Sequence, residues 1–343
     1  MEQILYKEPA IMDFYGTLGT ACWDTDTLTA LFRTGMTGVR LNLSPTGLAD
    51  CADLLQERYF PAARRAGCER PQLIIDLQGP ELRVGTLAAP APFPEGGEVC
   101  LGEGGIPVPQ VVIDAARPGH QISLDDSALL IEVTRKGASA LLCRVLRGGV
   151  LNSRKSLAIL GVQPDVPTLT SDDLANLDLA GSMGVTHILQ PFVRGGKDVA
   201  ALRQALEERG LSHIQIMAKI ENRQGLEHLD EIMAAADQIC IARGDLGNAI
   251  PLWELPAIQK QLARRCREAG KSFCLVTQLL WSMEQRPVPT RAEVLDIFNG
   301  VLDGASSLML TGETAVGKHP VEAMDYLVRT ARQAMDYREK GEV

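Results

Sequence analysis

Residues 213–222 read His-Ile-Gln-Ile-Met-Ala-Lys-Ile-Glu-Asn, an aliphatic run that ends in a basic and an acidic side chain two positions apart. A short apolar run such as 213–218 fits a strand of a parallel sheet with both faces covered. Lys219 and Glu221 then emerge at its carboxyl end. Working outward, the same unit recurs: runs at 11–18, 38–43, 72–76, 187–190, 238–242, 272–276 and 307–310 complete a set of eight. Between them lie helix-period segments at 24–34, 48–66, 170–183, 198–209, 252–269 and 291–303, and the eighth run is followed by another at 320–337. Eight strands with crossover helices is the count of a closed TIM (β/α)8 barrel, so the expected fold class is α/β, with the barrel built from residues 1–85 and 167–343.

Between Gly85 and Pro167 the character changes to Pro/Gly-rich turns and alternating strands, as at 129–133 and 140–145, without helical period. Residues 86–166 are therefore expected to form an inserted small β-barrel domain. It leaves the barrel after the third strand, at the end where TIM-barrel sites lie, which is the place for a lid.

The composition suits two units of an ordinary globular protein: 343 residues, 45% hydrophobic, 22% charged and only 4% aromatic, so the core is mainly aliphatic. A formal charge of −9 argues against a nucleic-acid partner, since backbone binding needs a basic surface. The eight cysteines show no C-x-x-C spacing, which suggests neither a zinc site nor a disulfide framework. Met1–Ala10 carries Glu2, Lys7 and Glu8 and lacks a signal-peptide core, and no apolar run reaches the ~18 residues of a membrane span. A cytoplasmic protein without membrane partners is the expectation.

Polar residues gather where the strands end. Arg40, Asn42 and Ser44 close the second strand, a guanidinium suited to phosphate and two hard oxygen donors. Asp76 ends the third, followed by Leu77, Gln78, Gly79, Pro80, Glu81 and Arg83. Arg243-Gly244-Asp245-Leu246-Gly247 follows the sixth, where glycine lets backbone amides approach an anion and Asp245 could share a cation with Glu221. Thr277 ends the seventh and Thr311-Gly312-Glu313-Thr314 the eighth. Each ending alone reads equally well as a turn or a surface ion pair; together they form the rim from which barrel active sites are assembled.

The stretch IQIMAKIENRQGL at 214–226 resembles the signature segment of the pyruvate kinase family. It is joined in the family's order by VRLNLS (39–44), DLQGPELRVG (76–85), ARGDLG (242–247), VTQLLWSM (276–283), PTRAEVLD (289–296) and LDGASSLMLTGETAVGKHPVEA (302–323). The resemblance runs from about Thr17 to about Ala331. It implies that Glu221 and Asp245 hold a divalent Mg2+ or Mn2+, that Lys219 and Arg40 face the phosphoryl group, and that Gly244, Asp245 and Thr277 receive the substrate carboxylate. It further implies a K+ site at Asn42, Ser44, Asp76 and the carbonyl of Leu77, with Glu81 matching the potassium-dependent form. Arg83 and Lys155 would meet nucleotide phosphates, and Thr277 would stand near proton delivery. The implied partners are phosphoenolpyruvate and a nucleoside diphosphate, and a homodimer through the barrel is left open.

Three departures bear on the acceptor. Thr20 stands where the family has proline, Pro45 where it has histidine, and Gln78 where it has a lysine beside Asp76. The phosphoenolpyruvate half thus reads as intact and the nucleotide half as altered. The chain also reaches Val343 with no counterpart of the family's additional αβ domain, so phosphorylated sugars are not expected to activate it. Three other readings stay open beside phosphotransfer to a nucleotide. The first is a modified phosphoenolpyruvate-using enzyme with another acceptor. The second is a metal-dependent 2-oxoacid aldolase or decarboxylase, against which Lys219 and the inserted lid argue. The third, a non-catalytic sensor, would not require all of Arg40, Lys219, Glu221, Asp245 and Thr277.

Overall fold

The computed structural model describes residues 12–44, 46–125, 127–162, 164 and 166–341. The opening segment with Ile11, Pro45 and the end at Val343 lie outside the described residues. The chain divides into two compact units, one from residues up to 79 and from 169 onward, the other from 80–168.

The first unit is a closed barrel of eight parallel strands in sequential order: Asp13–Thr17, Gly38–Asn42, Gln72–Asp76, His187–Gln190, Gln215–Ile220, Gln238–Ala242, Phe273–Val276 and Ser307–Met309. The first and last close the ring through Asp13↔Ser307 and Tyr15↔Met309. Strand alternation sorts the side chains. Leu73, Ile75, Ile216, Ala218, Ile239, Ile241 and Leu275 pack outward against the helices. Tyr15, Ile74, Leu189, Met217, Cys240, Cys274 and Met309 fill the interior. A polar layer closes the amino end: Tyr15 donates to Gln72 Oε1 (2.7 Å), Gln72 to Asp13 (2.8 Å), and Gln238 to Ser306 and Ser307 (3.0 Å each). The same two-residue period that puts Met217 inside the barrel puts Lys219 and Glu221 at its opposite mouth.

Strand two tolerates no side chain at its first position. A Cβ on Gly38 would run into the carbonyl oxygen and Cβ of Gln72, its register partner. Gly38→Ala is expected to cost about 2–4 kcal/mol, the scale of overpacking in a tight core. Urea denaturation of the variant and the parent measures it.

Local signals set the helices that return the chain. Thr290 and Thr170 each form a capping box, with Glu293 and Asp173, at the starts of Arg291–Leu302 and Ser171–Ala180. The segment expected as one helix over 48–66 is instead a 3-10 turn (Ala49–Cys51), a π-helical stretch (Leu54–Tyr59) and a short α-helix (Phe60–Arg65) with proline in its first turn. Helices Arg223–Glu227 and Leu229–Ala235, between the fifth and sixth strands, escaped the periodicity because each is too short to show one.

The second unit holds a five-stranded antiparallel sheet and a two-stranded one, Ala91–Phe93 with Gly149–Leu151. It has its own core, including Leu101, Ile122, Ile131, Leu141 and Val145. Val84 is buried in that core and Leu82 packs on it, so the chain joins this unit from Pro80. One helix, Gln110–Ala115, interrupts the segment read as purely β.

Candidate active site

Lys219 lies inside the fifth strand rather than just past it, since that strand runs Gln215–Ile220 and not 213–218. Its side chain, largely buried, reaches two carboxylates: Nζ is 3.4 Å from Asp76 Oδ1 and 3.6 Å from Glu221 Oε2. Arg40, on strand two, approaches Asp76 from the other side with Nε at 2.8 Å and Nη2 at 2.7 Å from Oδ2. Its Nη1 donates to Thr17 Oγ1 at 3.3 Å, and Thr17 is fixed by donating to the Leu310 carbonyl. Strands one, two, three and five thus place two cations and two carboxylates in one cluster at the barrel's carboxyl mouth.

The electrostatics are those of a site built for an added charge. Burial alone would drive the Lys219 amine down, but Asp76 and Glu221 outweigh it and hold the ammonium charged. Burial pushes the Glu221 carboxyl up, against the pull of Lys219 and with the charge of Asp245 adding to the rise. Glu221 Oε1 accepts from the Phe192 amide at 2.6 Å, whereas Oε2 and Asp76 Oδ1 are buried and lack hydrogen-bond partners. Buried carboxylate oxygens that face only an ammonium at 3.4–3.6 Å and make no hydrogen bond are what a bound cation would satisfy. Among the described residues no cluster of three or more His, Cys, Asp or Glu could hold a metal ion. A donor set of two carboxylates, Glu221 and Asp245, suits Mg2+ or Mn2+, which keep waters and take oxygens from the substrate.

Opposite this cluster the seventh strand ends in strained backbone. Thr277 and Gln278 both adopt positive φ, 73° and 52°, and Phe192, which donates to Glu221, has 54°. Left-handed conformations of non-glycine residues cost ~1–3 kcal/mol each and persist only where neighbours impose them. Here Arg243 imposes it: Nη2 donates to the Thr277 carbonyl at 2.7 Å while Nη1 pairs with Asp296 at 2.6 Å. The Thr277 hydroxyl in turn accepts from the Gly244 amide at 2.9 Å. Arg243→Ala is expected to release this loop and lower kcat about 10-fold with a smaller change in KM, whereas Arg243→Lys restores part of it. Steady-state kinetics on both variants provide the check.

The other residues singled out from the sequence distribute as follows. Asn42, exposed, is the register partner of Asp76 and accepts from the Ser44 amide at 3.3 Å, so the oxygens of Asn42, Ser44 and Asp76 share one rim. Leu77 is buried next to them, its amide bonded to Leu189. Asp245 is exposed in the first turn of helix Arg243–Ala249, a segment read from sequence only as a glycine-rich turn. Gln78 and Gly79 both donate their amides to buried Asp173, which fixes the turn after Asp76. Arg83 and Lys155 lie in the second unit, where Val84 and Lys155 share a backbone hydrogen bond; Arg83 pairs with Glu81 (2.6 Å) and Lys155 with Asp125 (2.8 Å). Thr20 is exposed at the end of strand one.

Thr17, Arg243, Asp296, Asp173 and Phe192 were not singled out from the sequence. Arg243 sat within the quoted ARGDLG stretch, and Thr170-x-x-Asp173 is a legible capping box. The others act through contacts distant in sequence.

Comparison with known proteins identifies the chain's relatives. A family model described as the barrel domain of pyruvate kinase matches residues 105–324. A pyruvate kinase of Geobacillus stearothermophilus is 36% identical over 344 residues, covering 94% of this chain and 57% of that protein. One from Aeropyrum pernix is 35% identical over 321 residues, covering 93% of this chain and 69% of that protein. The crystal structure of a pyruvate kinase from Cryptosporidium parvum superposes with a TM-score of 0.88 at 30% identity, covering 95% of this chain and 70% of that one. The chain therefore spans little more than half the length of the first of these relatives, and over that span its barrel fold and its sequence place it in one group: the chain belongs to the pyruvate kinase family.

Proposed function

We propose that this chain moves the phosphoryl group of phosphoenolpyruvate to a nucleoside diphosphate, giving pyruvate and a nucleoside triphosphate. The observation that carries the reading is the convergence of Arg40 and Lys219 on the buried Asp76–Glu221 pair. Phosphoryl transfer asks a protein chiefly for positioning and charge neutralisation, and two preorganised cations at one mouth supply both. Arg40 and Lys219 face the transferring group, and the amides of Gly244 and Asp245 with Thr277 receive the substrate carboxylate. The Thr277 hydroxyl, positioned by Gly244, stands where a proton reaches the methylene carbon through water. Glu221 and Asp245 would hold Mg2+ or Mn2+, and Asn42, Ser44, Asp76 and the Leu77 carbonyl would hold K+; bound there, these ions neutralise charge on the substrate oxygens. In the second unit, Arg83 and Lys155 serve the nucleotide phosphates.

A second reading, phosphoenolpyruvate chemistry with another acceptor, draws on Thr20 and Gln78, which stand where the family has proline and lysine. A coupled assay with phosphoenolpyruvate, a divalent metal and a panel of nucleoside diphosphates separates the two. Pyruvate formed only with a diphosphate supports transfer to nucleotide; phosphoenolpyruvate turned over without one overturns it. Among the described residues no helix is long and apolar enough to cross a membrane. Eight free cysteines suit the reducing cytoplasm, and the exposed apolar side chains Trp253, Trp281 and Leu295 suit a homodimer through the barrel.

A further inference from the structure

Four of the nine side chains that fill the middle of the barrel carry sulfur: Met217, Cys240, Cys274 and Met309. They come from the fifth, sixth, seventh and eighth strands, four consecutive neighbours around the ring. Cys240 and Cys274 are register partners on adjacent strands and both are fully buried. The two thiols lie close enough that Cys274 raises the Cys240 thiol well above its ordinary range, with burial adding to the effect. Phosphoryl transfer makes no use of either sulfur, and packing alone would be served by aliphatic side chains.

We propose that Cys240 and Cys274, flanked by Met217 and Met309, form a buried site for one soft monovalent metal ion, copper(I) or its analogue silver(I). Thiolate and thioether donors select such ions over the hard cations of the carboxylate cluster. Charge balance fits an apolar interior, which penalises net charge. The ion replaces one thiol proton, Cys–SH + M+ giving Cys–S–M + H+, with the proton released to solvent and no change of oxidation state. The second thiol and the two thioethers remain neutral donors. Position matters too: Cys240 is the register partner of Lys219, so the site abuts the strand that carries the reactive ammonium.

The test is transfer of copper(I) from its coloured bathocuproine complex to the reduced protein, with native mass spectrometry to count ions and circular dichroism to verify folding. The parent chain is expected to strip one ion, with a rise in Tm because the ion binds only the folded state. Cys240→Val with Cys274→Val should take none, while Cys68→Ser with Cys100→Ser, the two cysteines outside the buried set, should still take one. Met217→Leu and Met309→Leu keep the thiols and should weaken retention about tenfold each, so the site stays testable if the paired valine variant fails to fold. No transfer to the parent chain, an undiminished ion in the folded valine variant, loss of the ion with Cys68 and Cys100, or unchanged retention in both leucine variants would each overturn the proposal.

Discussion

Lys219→Met should lower kcat by about 10²–10³-fold while changing the KM for phosphoenolpyruvate only slightly, the scale seen when one preorganised donor to a transition state is deleted. The largely buried ammonium is held charged by Asp76 and Glu221, so in the proposed transfer its contribution would grow as charge spreads over the phosphoryl oxygens. Methionine keeps the stem of the side chain and removes the charge. Asp76 keeps its pairing with Arg40, while the buried Glu221 loses its cation, so some loss of stability should accompany the loss of turnover. Steady-state kinetics with a urea titration to verify stability give the measurement. Full turnover in the variant would end the assignment of phosphotransfer to this cluster.

Glu221 separates charge from scaffolding. Its Oε1 fixes the strained Phe192 amide, while Oε2 is the orphaned oxygen aimed at the cluster. Glu221→Gln retains an acceptor for Phe192 and removes the negative charge; Glu221→Ala removes both. For the glutamine variant the half-saturating divalent metal concentration and the KM for phosphoenolpyruvate should rise together, by about 10²-fold, as expected when one member of a buried charge pair is lost. The alanine variant should show the same loss and in addition be less stable by about 1–3 kcal/mol, the cost of an unsatisfied buried amide. Isothermal titration with Mn2+ and chemical denaturation read the two effects apart. If the glutamine variant binds metal as the parent does, the divalent ion is held elsewhere.

Much of this was legible in the sequence because parallel barrel strands are buried on both faces and read as bare aliphatic runs. His187–Gln190 and Gln238–Ala242 fall where the runs placed them. The fifth strand did not: its end was set at Ala218 because charged residues follow, yet the strand continues through Lys219 and Ile220. Composition marks the end of a strand poorly when its last inward-facing position is charged, since the apolar residues that signal a strand stop before the backbone ladder does. The helical pair after strand five and the first short helix after strand six, Arg243–Ala249, were too short for periodicity to register, whereas the longer Leu255–Glu268 falls within the helix-period segment 252–269. Within the site, Arg40, Asp76, Lys219 and Glu221 announced themselves as charges at strand ends. Thr17, Arg243 and Asp296 did not, because their importance lies in partners 23–293 positions away, which only the closed barrel brings together.

The order in which the ring closes has a consequence for synthesis. Strand three ends at Asp76, yet its neighbour on the far side begins at His187. At ribosomal speeds that gap of about 110 residues leaves one edge of the nascent sheet unpaired for roughly 6–22 s, and the pairing of Asp13 with Ser307 comes roughly 15–60 s after strand one emerges. During that interval the nascent three-stranded sheet offers two free backbone edges, those of strands one and three, to any other chain, the condition under which nascent proteins aggregate or recruit chaperones. The intervening segment meanwhile has a core of its own to form. Codon choice and temperature across residues 80–168 should therefore govern the yield of native protein more than they do elsewhere in the gene.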